Sequence, residues 1–321
     1  MQNISLKQIC SGVIAFVLVM IFPLVITNTF AQHVMILFFM FGMMGVAWNI
    51  MGGYAGMFSF GQVAFFGIGA YTSSFLLIAY HVNPWIGLFL GGLVAAFVGA
   101  AIGYPCSNLR GHYFAIASIA FGEIVRTHFN NWKLIGAAEG LSLPMLSEGF
   151  KNFMFHSSKL PYYYIMFAFL LISLTVCYLI STSKMGYYFR AIKESHDVAK
   201  VLGINVVWYR LVAIMISAFL TAMAGTFYAQ YVLYIDPESV MLLPISVQVV
   251  LISMLGGAGS VMGPVVGAVI LIPISEFTRV WLGHKGTGVD MLIYGFLITL
   301  ISVYQPKGVW GLFMNLGKRT K

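Results

Sequence analysis

The chain has 321 residues, 60% of them apolar and only 8% charged, with a formal net charge of +8. A soluble globular domain carries roughly 25% charged residues, so this composition excludes an ordinary soluble enzyme, a disordered chain and a nucleic-acid module. Residues 8–109 contain no Asp, Glu, Lys or Arg; one bilayer crossing needs about 20 apolar residues, and a run of this length implies several in succession. Inside lipid every backbone amide and carbonyl must be satisfied, which favours helices. The alternation of a transmembrane barrel is absent. The expected fold is all-α: a polytopic transmembrane helix bundle of about ten spans (eight to ten), in a single domain over residues 1–321.

Pro, Gly clusters and polar residues set the breaks. The first span is expected over residues 9–27, where an apolar segment after Lys7 resembles a signal peptide. It runs through Pro23 and lacks a clear small-residue cleavage site, so it reads as a retained signal anchor. A second span is expected over 34–51, followed by a Gly-rich junction from Gly52 to Gly61. Spans over 63–80 and 85–104 follow, the latter ended by Pro105, and a fifth over 113–129. Residues 130–160 are the longest polar stretch. A sixth span is expected over 161–182, a basic loop over 183–210, and further spans over 211–233, 242–258, 261–280 and 291–305.

Orientation follows from charge. With the N-terminus inside, ten spans place Arg110, the 183–210 loop and the basic tail (Lys307, Lys318, Arg319, Lys321) on the cytoplasmic side, with the C-terminus. That agrees with the bias of Lys and Arg to cytoplasmic loops, which also accounts for the net charge without nucleic acid. In span four, Gly87, Gly91, Ala95, Gly99 and Gly103 recur every four residues, and Gly263 and Gly267 repeat the spacing. Such stripes let helix backbones approach closely where lipid supplies no hydrophobic drive; lining a path is the other reading.

The motifs of catalysis are missing. There is no GxxxxGK[ST] phosphate loop, and no HExxH or GxSxG. The histidines are scattered, and Cys10, Cys106 and Cys177 show no metal or disulfide spacing. No cofactor, metal or catalytic residue is expected. The ionisable residues within spans are Glu123 with Arg126 and Glu276 with Arg279, each at i, i+3 spacing on one helix face. Glu123 reads equally as a functional intramembrane group and as half of an interfacial pair.

The loop from Met185 to Gly203 is rich in helix formers, with Arg190/Glu194 and Lys193/Asp197 at i, i+4 spacing and Gly203 as a C-cap. Asp197-Val198-Ala199-Lys200-Val201-Leu202-Gly203 resembles the EAA-x3-G signature of permease subunits of ATP-binding-cassette (ABC) importers, keeping the acid, the second Ala and the Gly. One branch is closer, the branched-chain amino acid permeases of the LivM kind. Trp48–Gln62, Phe65–Tyr71, Leu109–Ile116, Ala120–Arg126, Arg190–Glu194 with Leu202–Asn205, Gly256–Pro264 and Gln305–Gly308 carry that resemblance. Gln62 departs from the His of many relatives.

The resemblance implies a bacterial inner-membrane permease without an ATPase site of its own. It would pair with a second, homologous permease, sit on two cytoplasmic ATPase subunits, and receive substrate from a periplasmic or lipid-anchored binding protein. The implied substrates are branched-chain or other hydrophobic amino acids, with urea and short amides as the alternative; a stand-alone secondary transporter is the reading from another class. Arg190, Lys193, Glu194, Asp197, Val198, Ala199, Val201, Leu202 and Gly203 would then form the ATPase-coupling loop. Gly52, Gly53, Gly56, Ser59, Gly61, Gln62, Glu123, Gly256, Gly257, Gly259 and Ser260 would lie near the translocation path. The alternative for the two Gly-rich junctions is plain tight turns.

Overall fold

A computed structural model describes residues 17–282 except 18, 27, 108 and 110, with residues 295, 309 and 311 beyond them. About half of the first expected span lies outside the described residues, and the tenth, Arg110 and the basic tail almost wholly so.

Helix α1 (Thr29–Trp48) starts at Asn28, whose side chain accepts the Phe30 amide, and runs directly into a π-helical turn, Asn49–Tyr54. Next come α2 (Gln62–Tyr80), α3 (Pro84–Cys106) and α4 (His112–Asn131). After the polar segment come α5 (Leu160–Thr182), the short helices α6 (Lys184–Glu194) and α7 (His196–Val201), and the long α8 (Val206–Val232). One turn, α9 (Pro237–Val240), precedes α10 (Leu243–Gly256) and α11 (Gly263–Leu282). Seven helical segments among the described residues are long and apolar enough to cross a membrane. Of the ten expected spans, the first is described only from residue 17 onward and the tenth only at residue 295, and neither is among the seven. The fifth forms as α4, but its polar residues keep it out of the seven.

Helices α2, α3 and α8 make one tightly packed group, and α1 lies against α5, α8, α10 and α11. The α2–α8 contact is nearly backbone on backbone. A Cβ added at Gly69 would stand 2.1 Å from the Ala222 carbonyl oxygen, and one at Gly225 would stand 1.9 Å from that of Phe66. Between helices in lipid, association rests on dispersion and hydrogen bonds across close contacts. Thr226 adds such a bond, donating to the Gly69 carbonyl at 3.1 Å. The small-residue stripe of α3 serves the same packing, with Gly87 against Ser73, Gly91 against Gly69, and Gly99 and Gly103 against Ile214.

Three expectations are corrected here. Pro105 does not end the fourth span; it lies inside α3, which stops at Cys106. The segment 183–210 is not one loop: α8 already begins at Val206, so Arg210 stands more than a turn inside a spanning helix and is buried. Its guanidinium donates to the carbonyls of Ser107, the cap of α3, and of Leu109 just beyond it, and covers the Phe114 ring. The fold is also not purely helical. Leu141–Ser142 pairs antiparallel with Tyr234–Ile235, tying the polar segment 130–160 to the end of α8. Trp85 stacks on Phe150 and Phe153 and donates its indole N–H to the Phe150 carbonyl, holding that segment over one end of the bundle.

Candidate functional site

The two Gly-rich junctions, far apart in sequence, meet in space. Asn49, fully buried in the π-helical turn, donates from Nδ2 to the Ser260 carbonyl at 2.8 Å and accepts the Gly259 amide on Oδ1 at 2.7 Å. Gly53 lies in the same contact: a Cβ there would stand 1.9 Å from Asn49 Oδ1 and 2.6 Å from the Gly259 nitrogen. The wider π turn brings these residues onto one face, and such turns recur at functional positions in helices. The second expected span therefore continues helically past Gly52, where a break was expected.

Residues 55–61 are irregular, and their backbone polar groups are satisfied by side chains from elsewhere. The Phe60 amide bonds Ser118 Oγ at 2.9 Å, the Gly61 amide bonds Ser59 Oγ at 3.1 Å, and the Val63 amide bonds Ser246 Oγ at 2.9 Å. The Trp48 indole donates to the Ser59 carbonyl at 2.7 Å. Irregular backbone at membrane depth is tolerated only when covered in this way. Gly256 and Gly267 serve close packing of α10 on α11, while Gly257 and Gly259 take positive φ (119° and 89°) in the connecting turn. Ser260 holds that turn, its hydroxyl donating to the Gly257 carbonyl and accepting the Gly263 amide. Gln62 is fully buried; its amide donates to Ser217 and accepts from Thr221, which pins α2 to α8. Beside these residues, Ser59, Phe65, Gly99, Phe114, Ser118 and Ile214 line a small apolar cavity of about 30 Å³.

The helix pair α6–α7 hangs from this region. Ser195 breaks the single helix expected over Met185–Gly203, its backbone extended and its hydroxyl capping α7 at the Val198 amide. The break puts Lys193 and Asp197 on different helices, so their i, i+4 pairing does not form. Arg190 also leaves Glu194: it donates to the Ser181 carbonyl at 2.9 Å and lies over the rings of Tyr54 and Tyr187. Lys193 reaches into the junction, donating from Nζ to the Gly53 carbonyl at 2.8 Å and running along Gly56 (φ +71°). Glu194 and Asp197 are exposed. Gly203 takes φ +78°, the left-handed cap the sequence indicates. Of the apolar residues, Ala199 is buried with Ile192 and Val206, whereas Val198, Val201 and Leu202 are 57%, 87% and 70% exposed.

Glu123 stands apart from the junctions. Its carboxylate is more than half exposed and accepts from Arg126, which also bonds Glu238, itself an acceptor for Asn130. The i, i+3 pair of the sequence forms and is joined through Arg126 to a second carboxylate beside the end of α8. Asn49, Trp48 and Arg210 are the residues that sequence reasoning missed. Asn49 and Trp48 stand in the apolar run that reads as span, and the one signal there was a lone amide just before Gly52–Gly53.

The described residues form a bundle of membrane-length apolar helices in which two Gly-rich junctions meet and a helix pair is tied to them through Lys193. The family model for the branched-chain amino acid transport system permease component matches residues 30–302, and the chain belongs to this family. It is 31% identical over 288 residues to the high-affinity branched-chain amino acid transport system permease protein LivM of Salmonella typhimurium, covering 83% of this chain. The LivM protein of Escherichia coli gives the same identity and coverage. The chain spans 66% of the length of these two relatives. To the LivH permease protein of S. typhimurium it is 23% identical over 290 residues, covering 84% of this chain and 91% of that protein. No solved structure matches it significantly.

Proposed function

We propose that this chain is the permease subunit of an ABC importer that carries branched-chain or other hydrophobic amino acids across the bacterial inner membrane. In this reading it forms a single permease domain of about ten spans with both termini in the cytoplasm. A second, homologous permease pairs with it, two cytoplasmic ATPases supply the energy, and a periplasmic or lipid-anchored binding protein delivers substrate. Both LivM and LivH relatives are described as permease proteins of branched-chain amino acid transport systems, which favours this substrate class.

One observation carries the reading. The α6–α7 pair presents Val198, Val201 and Leu202 outward, while Lys193 at its base holds the Gly53 carbonyl inside the bundle. The apolar tip offers contact area to a groove on the ATPase, and the flanking charges set its register. A push on α7 reaches the junctions through Lys193 without crossing a flexible linker. The junction residues Gly52, Gly53, Gly56, Ser59, Gly61, Gln62, Gly256, Gly257, Gly259 and Ser260 then shape the wall that the push rearranges.

Uptake of labelled leucine, glutamate and urea in a strain lacking only this chain tests the substrate class; loss of leucine uptake alone is the expected result, and loss of urea uptake alone overturns it. Val201→Asp with Leu202→Asp tests the coupling role. The doubly substituted chain should insert normally but fail to restore uptake, and full restoration removes α7 from the mechanism.

A further inference from the structure

At the bundle end opposite α6 and α7, the starts of α1 and α5 and the end of α8 enclose a cavity of about 370 Å³ that opens to the surface. Phe155, Tyr162 and Tyr231 form its walls, and Lys159, His33 and His156 bring three basic side chains to it. Tyr162 is held in place, donating to the Gln230 carbonyl and accepting the Phe155 amide, both at 3.2 Å. His33 stacks on Tyr231 and shares a 2.7 Å hydrogen bond with its hydroxyl through Nδ1. With the tyrosine as donor, Nε2 carries the ring proton, and it meets no protein acceptor among the described residues.

Lys159 is the decisive group. It is the residue before the first turn of α5, half-buried, and its ammonium has no hydrogen-bond or ion-pair partner among the described residues. Burial pushes its pKa below the ordinary lysine value. The carboxylate on the same segment, Glu148, is already taken by the amides of His156 and Ser157 and by the Ser157 hydroxyl. Arg279, 3.9 Å from Glu276, lies within electrostatic reach of His33 and adds positive potential. Desolvation disfavours this ammonium, and a bound anion compensates for it.

We infer that His33, Lys159 and the aromatic walls of this cavity form a binding site for an oxyanion attached to an apolar body. Lys159 and His33 Nε2 donate to the oxyanion, and Phe155, Tyr162 and Tyr231 cover the apolar part. Two sources carry that chemistry: the headgroup phosphate of an anionic lipid, and the carboxylate of a free hydrophobic amino acid. The site itself does not depend on the transport reading.

The test is thermal unfolding of the purified full chain in a neutral detergent at constant ionic strength. Dihexanoyl-phosphatidylglycerol, dihexanoyl-phosphatidylcholine, leucine and inorganic phosphate are titrated separately. A saturable rise in Tm with the phosphatidylglycerol or with leucine is expected, weakened at least tenfold in apparent affinity by Lys159→Gln and unaffected by Lys151→Gln on the same segment. A response to phosphatidylglycerol but not to leucine assigns the lipid source, and the reverse assigns the amino acid. Tyr231→Phe, which keeps the wall and removes the partner of His33, should weaken the same response. No saturable response in the wild type, a response to inorganic phosphate alone, or an equal response in Lys159→Gln overturns the site.

Discussion

Replacing Asn49 with leucine keeps the number and branching of side-chain heavy atoms in the π-helical turn but removes both hydrogen bonds that join the two junctions. The Gly259 amide and the Ser260 carbonyl then lose their partners at 2.7 and 2.8 Å. An orphaned buried backbone group costs about 1–3 kcal/mol. Gly259 and Ser260 are half-buried, so water partly replaces the amide and the cost sits at the low end, about 2–3 kcal/mol for the pair. Unfolding of the purified chain by SDS in mixed micelles reads this loss directly. A second measurement ties it to the site. Lys193 Nζ lies on the Gly53 carbonyl, and a Cβ added at Gly259 would stand 3.3 Å from that carbonyl oxygen and 3.7 Å from Nζ. Asn49→Leu and Lys193→Met should therefore be non-additive in stability by at least about 0.5 kcal/mol, as residues sharing one contact network are. A cost for Asn49→Leu below about 0.5 kcal/mol, the range of an inert surface change, or strict additivity with Lys193→Met, refutes the idea that one network joins the junctions to α6.

Gly69→Ala should cost about 1–3 kcal/mol by overpacking, because the new methyl falls 2.1 Å from the Ala222 carbonyl oxygen and neither helix backbone can yield alone; unchanged SDS resistance would mean that α2 and α8 separate freely. Glu148 predicts a pH response. Hydrogen bonds from Ser157 and the His156 amide hold its carboxyl below the ordinary value, so the 148–157 loop gains order that is full above the ordinary glutamate pKa of about 4.3. That order is lost as pH falls through the lowered native value. Amide exchange at His156 and Ser157 should stay slow down to that range, and Glu148→Gln should abolish the dependence; an unchanged pH dependence in Glu148→Gln would refute the assignment.

Composition by itself determined the solvent of this protein. The uncharged run over 8–109, with residue types that cannot satisfy a barrel's alternation, leaves stacked apolar helices as the solution. The helix end at Gly203 was equally readable, because a left-handed glycine acts within a few residues. The exposed tip Val198, Val201 and Leu202 was legible as an apolar surface on a charged helix, and so was its likeness to the permease family.

What the sequence could not show was which distant groups meet. Arg210 counted as one more basic loop residue, yet tertiary structure makes it the partner of the carbonyls of Ser107 and Leu109. Lys193 belonged to a helix-face ion pair in the sequence, and the break at Ser195 together with the approach of Gly53 gave it the Gly53 carbonyl as partner instead. Asn49 stood out in the sequence only as a lone amide in an apolar run, since its partners lie more than 200 residues away. In an apolar bundle the hydrophobic pattern is nearly uniform around each helix, so it places a helix in the membrane without choosing its neighbours. That choice falls to the few polar side chains and to the glycines where backbones touch, and their pairings exist only once the helices are packed.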